Sequence, residues 1–202
     1  MTCNIHMHIE ILLFGIFRFF SWLVCKKDNL KGYPVYTYYV AIIFQMLILP
    51  FLCILYYFNL IGAQIIFNIS IGYFMSDIPQ LIILKDNSLI CHHILGMTCI
   101  YSGKYIHKDL LYYPLVNTFT MELGSAFLSL PNILKLPYLY KIRTIIYTIS
   151  RVFSFYNGYL CIMDDRMDYN TSVFLKFIAI LLFIHNVLLL FKLVKKDMKY
   201  LW

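Results

Sequence analysis

Residues 35–57 read VYTYYVAIIFQMLILPFLCILYY, from Val35 to Tyr57, without a single charged side chain. A helix that crosses a bilayer needs about 20 consecutive apolar residues, so this run by itself predicts a span. The rest of the chain follows the same pattern. Of its 202 residues 61% are apolar and 13% charged, where an average soluble domain is roughly half apolar and a quarter charged. A globule of this length has too little interior to hide that excess. Seven spans would use about 140 residues and leave about 60 for loops and tails. The composition excludes a soluble enzyme, a disordered chain and a secreted disulfide scaffold. It predicts an all-α fold, a polytopic transmembrane helix bundle of six to seven spans. Apolar runs between charge clusters put the segments near 9–24, 35–57, 60–84, 88–102, 110–130, 144–163 and 173–191. Two of them leave the count open: 9–24 carries Arg18, and 88–102 is short enough to be tilted or re-entrant. A transmembrane barrel would need alternating strands of about ten residues, and these runs are continuous.

The net charge of +7 does not point to nucleic acid. The basic residues fall in short clusters at span ends, such as Lys26-Lys27 and Lys195-Lys196, and form no face that could track phosphates. Their distribution predicts orientation instead. One side has Lys26, Lys27, Lys31, Lys85, Lys135, Lys141, Arg143, Lys192, Lys195, Lys196 and Lys199; the other has Lys104, Lys108 and Arg166. The C-terminus is therefore expected in the cytosol. The six cysteines form no C-x-x-C pair, so neither a zinc site nor a disulfide framework is expected. Cys25, beside Lys26 and Lys27, has the setting of a palmitoylation site. No linker or repeat divides the chain. The boundaries expected are 1–34 for an N-terminal span with the first cytosolic loop, and 35–202 for the main transmembrane domain.

Charge inside a bilayer costs about 2.5–3.5 kcal/mol per group even on the mild insertion scale, so each ionisable residue within a run needs a reason. At about 1.5 Å per residue, Arg18, Asp77, His92, His93, Glu122, Arg151 and His185 all fall roughly 6–12 Å from the cytosolic end of their runs. Arg18 reads as a side chain reaching for headgroups. Asp77 and Glu122 are too short to do so, and with Arg151 and a histidine they are expected to form a polar cluster in the bundle interior. His92 and His93 are about 100° apart on a helix and do not converge on a metal; no metal site is expected. One histidine oriented by a carboxylate suffices for general-base or nucleophilic chemistry. A histidine making an interhelical hydrogen bond is the structural alternative.

Gly72-Tyr73-Phe74-Met75-Ser76-Asp77, followed by Lys85-Asp86 and Cys91-His92-His93-Ile94-Leu95, resembles the central segment of the TLC domain. Met121-Glu122-Leu123-Gly124-Ser125-Ala126-Phe127-Leu128 resembles that family's glutamate-led segment, and Arg151 stands where members often carry an arginine in the next helix. The resemblance covers nearly the whole chain and makes 35–202 a TLC-like transmembrane domain. It implies a multi-pass protein of the endoplasmic reticulum membrane, with membrane lipids as partners, acting in lipid metabolism or homeostasis. The ceramide synthases of this family move an acyl group from acyl-CoA to a sphingoid base. From them the histidine pair, His92 and His93, carries over as catalytic, with Asp77 or Glu122 as the orienting carboxylate and Arg151 as a headgroup ligand. No resident cofactor is implied; acyl-CoA would be a co-substrate. Those enzymes also carry a histidine–aspartate pair and a further aspartate before the glutamate. Here that stretch reads Pro114-Leu115-Val116-Asn117-Thr118-Phe119. The departure brings the chain closer to branches that adjust phospholipid composition, or that assist cargo export and chain translocation without catalysis.

Overall fold

The charge-free run at 35–57 is one helical rod with a fault in its middle. α2 (Val35–Ile43) passes through a π-helical turn at Phe44–Ile48 into α3 (Leu49–Tyr57). Pro50 explains the fault. Its nitrogen has no hydrogen to donate and its ring would press on the carbonyl one turn earlier. The chain widens to a five-residue bond from Leu49 N to the Phe44 carbonyl just before it. Phe44, at the start of the wide turn, is fully buried, and its ring stacks on Tyr73 at 4.0 Å between centroids.

The computed structural model describes residues 3–25, 29–30 and 33–201. The chain is all-α apart from one two-residue pairing of strands β1 (Asn29–Leu30) and β2 (Tyr33–Pro34). It forms two compact units, Met1–Lys104 and Tyr105–Trp202. Within the first unit α1 (Cys3–Cys25) is tied to α4 (Ala63–Ile83) through Arg18.

In the first unit α4 is the central helix. Its inward residues include Ala63, Ser70 and Gly72, whose small side chains let neighbours approach, and α1 and α5 (Asn87–Ser102) pack against it. Both helix ends that face turns use a left-handed residue. Asn59 closes α3 and Lys85 closes α4, each followed by a bond back across five residues, Leu60 N to Leu55 O and Asp86 N to Leu81 O. This is the Schellman arrangement, which satisfies the last carbonyls of a helix. Asp86 then caps α5 by accepting from Leu89 N at 3.0 Å. It also takes the Tyr33 hydroxyl, which together with burial raises the Tyr33 pKa above its ordinary value.

In the second unit α7 (Pro137–Ile162) packs against both α6 (Tyr112–Leu134) and α8 (Tyr169–Leu201). Lys135 adopts the left-handed conformation at the end of α6. The faces of α7 are reversed relative to a water-soluble helix. Arg143, Ser150, Arg151, Ser154 and Asn157 are buried, while Ile145, Ile149, Val152, Phe153 and Tyr156 are exposed.

A helix occupies each of the seven apolar runs among the described residues. Three are long and apolar enough to cross a membrane: Val35–Tyr57, Ala63–Ile83 and Tyr169–Asp197. Of the residues used for orientation, Lys26, Lys27 and Lys31 lie outside the described residues, as does the side chain of Cys25. Arg143 is no surface flank: it is 2% exposed.

Candidate functional site

The tight turn at Lys85 folds α5 back beside α4. Asp77 and His93 each stand eight positions from Lys85, one before and one after it, and this equal spacing brings them together. His93 Nε2 lies 2.7 Å from Asp77 Oδ2, and both side chains are buried. The other carboxylate oxygen meets Arg18 Nη1 of α1 at 2.5 Å. Arg18 Nε donates to Ser76 Oγ at 2.9 Å, and its Nη1 is 3.4 Å from Gln80 Oε1. Gln80 continues the network into α2, accepting from the Tyr36 hydroxyl at 2.7 Å and donating to Thr37 Oγ1 at 2.6 Å. Four helices thus converge on Asp77.

Arg18 therefore corrects the expectation of a side chain reaching for headgroups. It is 6% exposed and points inward, because a buried carboxylate within its reach outweighs the interface. Charge pairing also accounts for Asp77, which alone would be costly in an apolar core.

The ionised carboxylate of Asp77 can only accept. His93 Nε2 must then carry the proton of their hydrogen bond, and Nδ1 keeps its lone pair. That Nδ1 is buried with no hydrogen-bond partner among the described residues. Phe74 closes one side of the imidazole, with ring centroids 4.9 Å apart. His92 is half-buried, its ring centre 5.9 Å from that of His93. The two histidines thus differ in environment, and Asp77 holds His93.

Glu122 and Arg151 belong to the second unit, and both are buried. Arg151 ties three helices together. From α7 its Nε donates to Asn186 Oδ1 of α8 at 2.7 Å, Nη1 to the Met121 carbonyl of α6 at 2.6 Å, and Nη2 to Ser125 Oγ at 2.8 Å. Its guanidinium lies 4.3 Å from the Tyr147 ring centre, and the Tyr147 hydroxyl donates to the same Asn186 oxygen. Gly124 makes this possible: a Cβ there would overlap the Ser150 side chain.

A second buried pair, invisible in the sequence, joins Arg143 of α7 to Asp197 of α8. The guanidinium binds both carboxylate oxygens, Nε at 2.7 Å, and Thr144 Oγ1 adds a bond at 2.8 Å. Sequence reading also missed Gln80, although it stands three positions after Asp77 and so shares its helix face. Among the described residues no three His, Cys, Asp or Glu side chains converge as a metal site. No family model, curated protein or solved structure matches the chain.

Proposed function

We propose that this chain is a multi-pass, TLC-type membrane protein of the endoplasmic reticulum, acting in membrane lipid metabolism by transferring an acyl group from acyl-CoA to a lipid amine or hydroxyl. The observation that carries this reading is the buried Asp77–His93 contact with His93 Nδ1 unpartnered. An imidazole fixed at one nitrogen by a carboxylate, with the lone pair of the other unpartnered, is suited to act as a general base. Nδ1 takes the proton of the attacking amine or hydroxyl as its nitrogen or oxygen bonds to the thioester carbonyl. The C–S bond then breaks, the electron pair leaves on sulfur, and the imidazolium returns the proton to give the free thiol of CoA. Asp77 stabilises the imidazolium, and Arg18 fixes the carboxylate. His92 is the neighbour and not the base. Glu122 supplies a second buried carboxylate. Arg151 is engaged at all three nitrogens and acts as a tie between helices.

The reversed faces of α7 support a count of spans beyond the three apolar helices. Exposed Ile and Phe opposite a buried Arg, Ser and Asn face suit lipid outside and polar contacts inside. The low hydropathy of α7 comes from its inward side. On this reading six to seven helices cross the membrane, and the lysine-rich C-terminus is cytosolic.

A second reading, a non-catalytic lipid-binding or trafficking factor, is favoured by Asn117. It stands in the stretch where the resembling synthases carry acidic residues. With its carboxamide turned to match donor to acceptor, its nitrogen donates to the Ser154 carbonyl of α7 at 2.8 Å and its oxygen accepts from Gly158 N at 3.3 Å. Lipid analysis of host membranes separates the two readings. Acyl transfer expects expression of the chain to change lipid acylation, the change to vanish with His93→Ala, and His92→Ala to retain most of it. An unchanged lipid profile, or one indifferent to His93, would leave only the second reading.

A further inference from the structure

Gln80 sits inside the charged network without a charge of its own, and its partners fix which way its carboxamide points. The nitrogen of an amide only donates and its oxygen only accepts. Nε2 lies 2.6 Å from Thr37 Oγ1, so the threonine accepts there. Oε1 receives the Tyr36 hydroxyl at 2.7 Å and faces Arg18 Nη1 at 3.4 Å. The same Nη1 meets Asp77 Oδ1 at 2.5 Å. One face of α4 thus offers Arg18 two oxygens, from positions 77 and 80, and only the first is charged.

That arrangement sets the charge balance around His93. Among the described residues Arg18 and Asp77 are the charged groups bonded into this network, and they cancel. The next carboxylate along the chain, Asp86, is taken by Tyr33 and Leu89 N, and His92 is the neighbouring titratable ring. A proton added to His93 would leave one buried positive charge without a counter-charge, which is costly. A carboxylate at position 80 would reverse the count. Two anions would then face Arg18, and a proton on His93 would restore the balance. An acid would also be well bonded there. Tyr36 and Arg18 already point donors at position 80, and the Thr37 hydroxyl can turn from accepting to donating. Gln80 is therefore a neutral residue where an acid of the same shape would fit.

We infer that Gln80 is a positioning residue whose neutral carboxamide orders Arg18 without competing with Asp77 for it, so that His93 stays uncharged and keeps its Nδ1 lone pair. The value of that lone pair as a base rests on the acyl-transfer reading above. The charge state of His93 does not, and it can be measured with no substrate present.

The test uses the full chain with isotope-labelled histidine nitrogens, reconstituted in liposomes at neutral pH and read by solid-state NMR. The His93 signals are identified by their loss in His93→Gln. The parent is expected to show one protonated and one bare nitrogen at His93. In Gln80→Glu both nitrogens should be protonated, and any acyl transfer the parent shows should fall about a hundredfold. Gln80→Met removes the bonds without adding charge; it should melt lower and leave His93 neutral. Adding Gln80→Glu to Asp77→Asn should raise the melting temperature in detergent above that of Asp77→Asn alone, because Arg18 regains a counter-charge. A doubly protonated His93 in the parent, a neutral one in Gln80→Glu, or a double variant no more stable than Asp77→Asn would overturn this role. If Gln80→Glu charges His93 but the parent transfers no acyl group, the role of Gln80 stands and the acyl-transfer reading falls. If the parent transfers and Gln80→Glu leaves His93 neutral, the reading stands and the role of Gln80 falls.

Discussion

Among the described residues each unit buries one arginine–aspartate pair, and the two pairs differ in construction. Arg143 and Asp197 close on each other. The guanidinium meets both carboxylate oxygens, Thr144 adds a bond, and the Tyr140 ring lies 4.6 Å from the guanidinium. Asp77 divides its oxygens, giving one to Arg18 and the other to His93, and the imidazole ends the network on an unpartnered nitrogen. A closed pair fixes one helix against another. A pair that ends in an oriented imidazole with a free lone pair can also move a proton. The difference teaches that burial of charge in an apolar chain does not by itself mark a reactive site; the two networks part at their ends, one closing on itself and the other stopping at an imidazole nitrogen with no hydrogen-bond partner.

The sharpest way to break the comparison is to empty one side of the closed pair. Asp197→Ala leaves Arg143 buried and uncompensated, and thermal or denaturant unfolding in detergent should show a loss of about 3–5 kcal/mol. Replacing both partners by apolar residues, Arg143→Met with Asp197→Leu, should recover most of that loss. A single variant as stable as the parent would mean the pair is no lock. The other pair adds a second expectation. Asp77→Asn keeps the shape but leaves Arg18 buried without its counter-charge, so stability should fall here too. On the proposed function, acyl transfer by the protein that stays folded should also fall about a hundredfold, or about 2.7 kcal/mol in the barrier, because the carboxylate charge that stabilises the imidazolium is lost. If melting falls and transfer survives, the two pairs are alike after all.

Smaller effects test the packing that holds each cluster. At Gly124 an added Cβ would overlap Ser150 beside Arg151, whereas at Gly96 it would meet the Phe74 ring at an ordinary 3.5 Å. Gly124→Ala should cost about 1–2 kcal/mol in unfolding, toward the lower end of overpacking effects, and Gly96→Ala should change little. The smallest effect is at the exposed Asp164–Arg166 contact. Arg166 donates to the Asp164 carboxylate at 2.8 and 2.7 Å and holds its pKa at about 2. A depressed carboxylate pKa favours the fold above the ordinary value of 3.8, and that contribution is lost as pH falls toward about 2. With Arg166→Ala the carboxyl signal of Asp164 in NMR should titrate closer to 3.8.

The same contrast explains what the sequence made legible. The run at 35–57 needed no partner to be read, because twenty-three uncharged residues have one sensible environment; only its π turn was hidden, with Pro50 as the signal. α7 was expected from 144 but begins at Pro137. Lys141 and Arg143 look like a loop until Asp197, 54 residues away, is seen to take the arginine inward. α8 was expected to end at 191 for the same kind of reason, since lysines end an apolar run without ending a helix. Depth along separate helices did single out Asp77 and His93, which do meet. It misplaced Arg18, because depth carries no information on which way a side chain turns. Long-range partners decide that, and they are not local in sequence.

The central claim is that His93, held by Asp77, is the base of an acyl transfer. The direct measurement is transfer of radiolabelled acyl groups from acyl-CoA to lipid amines and hydroxyls, using the purified chain reconstituted in liposomes. The account predicts transfer by the parent and by His92→Ala. It predicts a fall of about 10²–10⁴ for His93→Ala, measured on the protein that stays folded. Undiminished transfer by a folded His93→Ala variant, or no transfer by the parent to any amine or hydroxyl lipid offered, would contradict it.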